Sequence, residues 1–346
     1  MTVLEIPETI SRARDASRLE QARRISLAPM MAYSDRHFRY FLRLLTPGAL
    51  LYTEMVTAPA IVRGNAERLL AFDKAEHPVA LQLGGSDPKE LAIAARRGEA
   101  EGYDEINLNC GCPSDRVQSG RFGACLMGEP ALVAECVSAM REAVSVPVTV
   151  KCRISIEPLP IPGEDEYDFL TRFVSTVAAA GCTVFVIHAR KAVLKGLSPK
   201  ENREIPPLRY DIARRLRGDF PQLTFVLNGG LRTVEQVQEE LPHFDGVMIG
   251  REAYQNPYLL ALLHKACVDP AYELPERHAV IERYVPYVRA RMEEGHSLHA
   301  MLRHAQGLYA GLPNVRSWRR FLSEQAAQGA ANADVLIDAL RIVRAA

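Results

Sequence analysis

The tripeptide Gly111-Cys112-Pro113 closes a short strand-like run, Glu105-Ile106-Asn107-Leu108-Asn109. Proline fixes the backbone after the cysteine and glycine allows close approach before it. The thiol is thus displayed at a strand end, above a loop carrying Arg116, Ser119, Gly120, Arg121 and Gly123. One reading is a reactive cysteine; the other is a buried inert thiol, the usual fate of a free cysteine. Lys151 is the second notable group, a cation inside the apolar run 147–154 and costly to bury unless it faces an anion. Glycines end two further apolar runs, in Asn228-Gly229-Gly230 and Gly250-Arg251. Glycine there opens backbone N–H groups ahead of a helix, the usual phosphate site of barrel enzymes. The expected cofactor is therefore a phosphate ester. A reduced flavin satisfies both observations, because a lysine stabilises the negative charge at its N1/C2=O edge.

Eight short runs rich in Val, Ile and Leu position these groups: residues 25–30, 49–56, 78–83, 105–109, 147–154, 183–188, 223–227 and 246–249. Helical patterns separate them, at 88–100, 132–144, 167–180, 208–216 and 233–241. Such alternation implies a parallel sheet, and eight repeats suffice to close it as an α/β fold of the (β/α)8 TIM barrel type. An open doubly wound sheet competes, but the GxGxxG turn it would carry after its first strand is missing. Polar or glycine-rich groups follow seven of the eight runs: Pro29-Met30-Met31, Gln82, Asn109 with Cys112, Lys151, His188, Asn228-Gly229-Gly230 and Gly250-Arg251. One by one these could be core or turn residues. Together they point to the C-terminal rim of a barrel, where such enzymes keep their active sites.

Acidic and basic residues balance at 42 each, so no global field favours nucleic acid and local patches must carry that case. The seven cysteines are odd in number and form no CxxC pair, and no histidine stands at metal-finger spacing, so neither disulfides nor a metal are indicated. The first 24 residues mix acids and arginines, unlike a signal peptide, and the run 173–187 falls short of the ~18 apolar residues of a membrane span. A cytoplasmic protein is expected, with no membrane and no obligate protein partner. Residues 1–24 read as an N-terminal extension, 25–267 as the barrel, and 276–346 as a small C-terminal helical bundle. Amphipathic helices are expected at 276–293, 297–309, 315–328 and 334–343, with Pro286 kinking or dividing the first. Basic residues gather twice, at 190–217 and around Trp318 (Arg303, Arg316, Arg319, Arg320). A polyanion laid across rim and bundle would meet both sets; a solvated charged face is the plainer reading of the second.

Long stretches of the chain resemble the tRNA-dihydrouridine synthases, from Ser26 to Glu324. The resemblance rests on LAPMMAYSDRHFRYFLR (27–43), VALQLGGSDP (79–88), INLNCGCPSDRVQSGRFGACLM (106–127), GLSPKENREIPPL (196–208) and GVMIGREAYQNP (246–257). The forms GLSPKENR and GACLM are most similar to the A subfamily, which acts on positions 20 and 20a of the tRNA D-loop. The resemblance implies FMN as cofactor, NADPH as reductant and the tRNA elbow as partner. It places Pro29, Met30, Met31 and Gln82 beside the isoalloxazine, Lys151 and His188 at its pyrimidine edge, and Asn228, Gly229, Gly230, Gly250 and Arg251 around the phosphate. Cys112 matches the catalytic cysteine, and Asn109, Lys200, Arg203, Arg316 and Arg319 match tRNA-contacting positions. The implied reaction reduces the uridine C5=C6 bond, with hydride from FMN to C6 and a proton from Cys112 to C5. A thiol with an ordinary pKa of about 8.5 is mostly protonated at neutral pH and able to release that proton. Ala32, Tyr33, Ser155, Val193 and Cys110 depart from the family pattern around the uracil pocket. The alternative is an FMN barrel reductase of a free small molecule, similar to dihydroorotate dehydrogenase; it leaves the helical tail without a task.

Overall fold

The computed structural model describes residues 17–114, 120–326 and 332–344; Arg116 and Ser119 lie outside them, as do residues 1–16. Eight parallel strands close into a barrel: β1 (Ile25–Leu27), β2 (Leu50–Tyr52), β3 (Val79–Gly84), β4 (Glu105–Cys110), β5 (Val148–Arg153), β6 (Val184–His188), β7 (Thr224–Asn228) and β8 (Gly246–Ile249). β1 pairs with both β2 and β8, and β2 with β3, which completes the ring. The register sets Asn107 beside Thr149, Asn109 beside Lys151 and Asn228 beside His188.

Alternation along each strand divides the core in two. Outward residues such as Ile106, Leu108 and Val150 join the belt packed beneath the helices, while Leu50, Tyr52, Ala80, Val186, Val226 and Met248 fill the barrel interior. The opposite side of that interior is polar, built from Gln82, Glu105, Asn107, Asn109 and Thr149, all buried. Helix starts follow local chemistry. Asp87 accepts the N–H groups of Lys89 and Glu90, Pro88 takes the first turn, and Gly102 closes the same helix (Pro88–Glu101) at φ 102°.

One expectation is corrected. The run 49–56 is not one strand: β2 stops at Tyr52 and a two-residue strand, Val56–Thr57, resumes the pairing with β3. Between them the Thr53 hydroxyl accepts the Gln82 N–H at 3.0 Å. The stretch read as an extension contains a helix over residues 17–23, whose Leu19 and Ala22 pack into the barrel interior from its N-terminal end. Of the two outcomes expected at Pro286, division does not occur: the helix Arg277–Glu293 continues through it, and Tyr287 stacks on Tyr40 at 3.8 Å between ring centroids.

Of the C-terminal helices Arg277–Glu293, Leu298–Ala305, Val315–Ala326 and Val335–Arg344, the first two pack against the helix Arg36–Arg43 of the barrel, and the last two pack on each other and on the first two. Asp35, the N-cap of that helix, receives Arg303 Nη2 at 2.5 Å and His304 Nε2 at 3.0 Å from the bundle. Burial alone would raise the Asp35 carboxyl, but His304, the Phe38 amide and Arg303 outweigh it and hold it well below the usual carboxylate range. Arg303 therefore joins the two parts of the molecule and is not part of an open basic patch. Among the described residues no helix is long and apolar enough to cross a membrane.

Candidate active site

A cleft of about 400 Å³ opens at the C-terminal rim of the barrel. Nine of the residues singled out for a cofactor line it: Pro29, Met30, Lys151, His188, Asn228, Gly229, Gly230, Gly250 and Arg251. Lys151 stands at its floor. Asn228 donates Nδ2 to the Met248 carbonyl at 2.8 Å, so its Oδ1 faces Lys151 Nζ and accepts from it at 2.9 Å. Among the described residues no acid pairs with Lys151; burial, then the charge of Arg153, pushes its ammonium down to about 7. Burial likewise drives His188 well below its ordinary value and keeps it neutral.

The glycine-lined end of the cleft is shaped by close approach. Gly229 and Gly230 adopt φ 119° and 74°, and a Cβ at 229 would lie 2.8 Å from His188 Cδ2. Arg190, Arg203, Arg232 and Arg251 surround them, and with Lys151 they set five cations against Glu204 and Glu252. Burial, with Arg251 among the like charges nearby, lowers both Arg190 and Arg203. Arg251 leans on Glu204 at 2.6 Å. Such crowding is unfavourable unless an anion enters, and a planar ring ending in a phosphate fits the donor set. Sequence reading missed Arg232; its position two residues beyond Gly230 was the available clue.

Two expected cofactor residues lie elsewhere. Met31 is 59% exposed, in the turn after β1 where Ala32 adopts φ 64° and donates its N–H to Glu54. Gln82 is buried below the cleft, with its amide bonded to Asn107 and Asn109.

Cys112 sits at the end of β4 in a turn bonded on every side. Asn109 Oδ1 accepts the N–H groups of Gly111 and Cys112 at 3.1 and 3.0 Å. Arg153 Nε donates to the Gly111 carbonyl at 3.1 Å, and Ala124 N–H to the Cys112 carbonyl at 2.8 Å. The half-buried thiol points toward Ser114 Oγ at 3.6 Å. Among the described residues, Asn109 keeps one amide hydrogen without a partner. Lys200 and Arg203 are exposed beside this mouth, and Arg316 and Arg319 share an exposed face of the helix Val315–Ala326. Much of the basic segment 190–217 is already neutralised: Lys191 pairs with Glu157, Arg209 with Asp211 and Arg214 with Glu240.

The family model "Dihydrouridine synthase (Dus)" matches residues 26–344. The chain belongs to the dihydrouridine synthase family. It is accordingly a flavin-dependent oxidoreductase. The tRNA-dihydrouridine(20/20a) synthase of Shewanella oneidensis is 54% identical over 91% of this chain and 92% of its own. The proteins of the same name from Salmonella typhi and Synechocystis are 53% and 54% identical, over 97% and 92% of this chain and 98% and 93% of theirs. Among solved structures, a 2-naphthoyl-CoA reductase in complex with 2-naphthoyl-CoA aligns with a TM-score of 0.54 at 11% identity. It covers 70% of this chain, which spans half of that one, and the likeness is one of fold.

Proposed function

We propose that this protein is a cytoplasmic tRNA-dihydrouridine(20/20a) synthase that holds FMN in the rim cleft and uses NADPH as reductant. The observation that carries the reading is the cation-crowded, glycine-walled cleft with Lys151 at its floor, next to the turn that displays Cys112. Bound there, FMN supplies the hydride for C6 of a uracil and is recharged by NADPH. Pro29 and Met30 would flank its ring, Lys151 and His188 meet its pyrimidine edge, and Asn228, Gly229, Gly230, Gly250 and Arg251 hold its phosphate. Cys112 would deliver the proton to C5, completing the addition of two electrons and two protons across C5=C6. Asn109 orients the flipped base with its remaining N–H. The purified protein should be yellow and release FMN on denaturation; a colourless protein that takes up no FMN on reconstitution contradicts this.

The lysine supplies a pH test. Without an anion beside it, a group titrating at about 7 is largely neutral at higher pH, and an anionic ligand restores its charge. Anaerobic binding of reduced FMN, whose anionic N1/C2=O edge would lie beside Lys151, should therefore take up close to one proton at about pH 8.5. Calorimetry in buffers of different ionisation enthalpy reads this number, and Lys151→Met should abolish it. The absence of proton uptake in the wild type would show that Lys151 does not face the ligand's charge.

Residues 276–346 are proposed as the tRNA-binding domain, through Arg316 and Arg319. Removing one arginine from a tRNA phosphate should reduce the salt slope of binding by about 0.7 to 0.9. Arg316→Ala with Arg319→Ala should raise KM for tRNA and flatten its salt dependence, leaving NADPH oxidation by the flavin unchanged. Unaltered KM and salt slope would exclude this face.

A further inference from the structure

A column of buried polar side chains crosses the barrel interior, and the proposed reaction uses only its upper end. At the closed end Arg23 places Nε and Nη2 on Glu105 Oε2 at 2.9 and 2.6 Å. The hydroxyls of Tyr52 and Thr149 donate to Oε1 at 2.5 and 2.7 Å. Thr149 Oγ1 accepts Asn107 Nδ2, Asn107 Oδ1 accepts Gln82 Nε2, and Gln82 Oε1 accepts Asn109 Nδ2, each at 2.8 Å. Asn109 Oδ1 ends the column on the N–H groups of Gly111 and Cys112. No member is more than 8% exposed.

One orientation of the three amides satisfies this chain. The two backbone donors at the top require Asn109 to turn its oxygen upward, so Gln82 must offer an oxygen below it, and Asn107 must do the same for Gln82. The lowest amide then presents N–H to Thr149, whose own proton needs an acceptor, and Glu105 provides it. Four donors converge on that carboxylate, two of them from a guanidinium. An apolar filling of the same volume would often be as stable as such a buried pair; what the polar column adds is a fixed direction for every amide.

Building on the functional reading above, we propose that Thr149, Asn107 and the Arg23–Glu105 pair are positioning residues. They hold the Gln82 and Asn109 amides in the orientation that fixes the Cys112 turn. Thr149→Val keeps the shape of the side chain but leaves Asn107 without its acceptor, and Thr149→Ser returns the hydroxyl. In the FMN-loaded protein, Thr149→Val should speed hydrogen exchange at the Gly111 and Cys112 amides by about tenfold, the worth of one buried hydrogen bond. It should lower kcat for dihydrouridine formation by a similar factor with KM for tRNA little changed, and serine should restore both. Asn107→Leu, of similar shape, should behave like the valine variant and serves if that variant does not fold. Wild-type exchange and kcat in the folded valine or leucine variant, or a serine variant as impaired as valine, would overturn the proposal. A wild type that makes no dihydrouridine would count instead against the functional reading.

Discussion

Cys112→Ala should lower dihydrouridine formation by about 10²- to 10⁴-fold, the usual contribution of a positioned general acid, while the protein still binds FMN and oxidises NADPH. The turn's bonds are made by main-chain atoms of residues 111 and 112, so alanine preserves it and removes only the thiol. Neighbouring cysteines cannot substitute. Cys110 faces outward from β4 into the belt beneath the helices, fully buried, and burial raises its thiol well above the ordinary value. Cys125 donates to the Phe122 carbonyl at 3.1 Å and is also raised by burial. Cys110→Ala should therefore remain active. A Cys112→Ala enzyme that reduced tRNA at the normal rate would place the acid elsewhere.

Gly229→Val should yield a folded but colourless protein with FMN affinity reduced by at least about a hundredfold. Two effects add. A φ of 119° is reached readily by glycine alone, and an L-residue there costs about 1–3 kcal/mol. The new Cβ would also lie 2.8 Å from His188 Cδ2 and 3.1 Å from Leu208 Cδ2, so the imidazole must leave its place at the cleft wall. The barrel itself, sealed below by the helix over residues 17–23, does not depend on this turn. Circular dichroism and flavin fluorescence on dialysis separate folding from binding. Retention of FMN with wild-type affinity would mean that the Gly229-Gly230 turn does not hold the cofactor.

Most barrel strands were legible to within two residues, because strands buried on both faces read as apolar runs bounded by turns. Thr53 escaped that pattern: it is β-branched and fits a strand, and its N–H still donates to Ala80 of β3 at 2.9 Å, but its hydroxyl takes the Gln82 N–H where a strand would offer a carbonyl. The rim was legible because Lys151 and the paired glycines are costly anywhere else. The column from Glu105 to Asn109 was not. Its members come from four strands and the helix 17–23, and only the register shows that Asn107 stands between Gln82 and Thr149. Charge suffered the same blindness. Arg303 looked like part of a basic surface, but its partner Asp35 lies 268 positions away in sequence. Composition can count charges; pairing over such distances is a property of the fold.

The most direct test incubates the purified, FMN-loaded protein with NADPH and unmodified tRNA, then maps dihydrouridine position by position. The account predicts dihydrouridine at positions 20 and 20a, dependent on NADPH and lost with Cys112→Ala. Unchanged uridine at both positions while NADPH is consumed, or free uridine reduced as fast as tRNA, would contradict it.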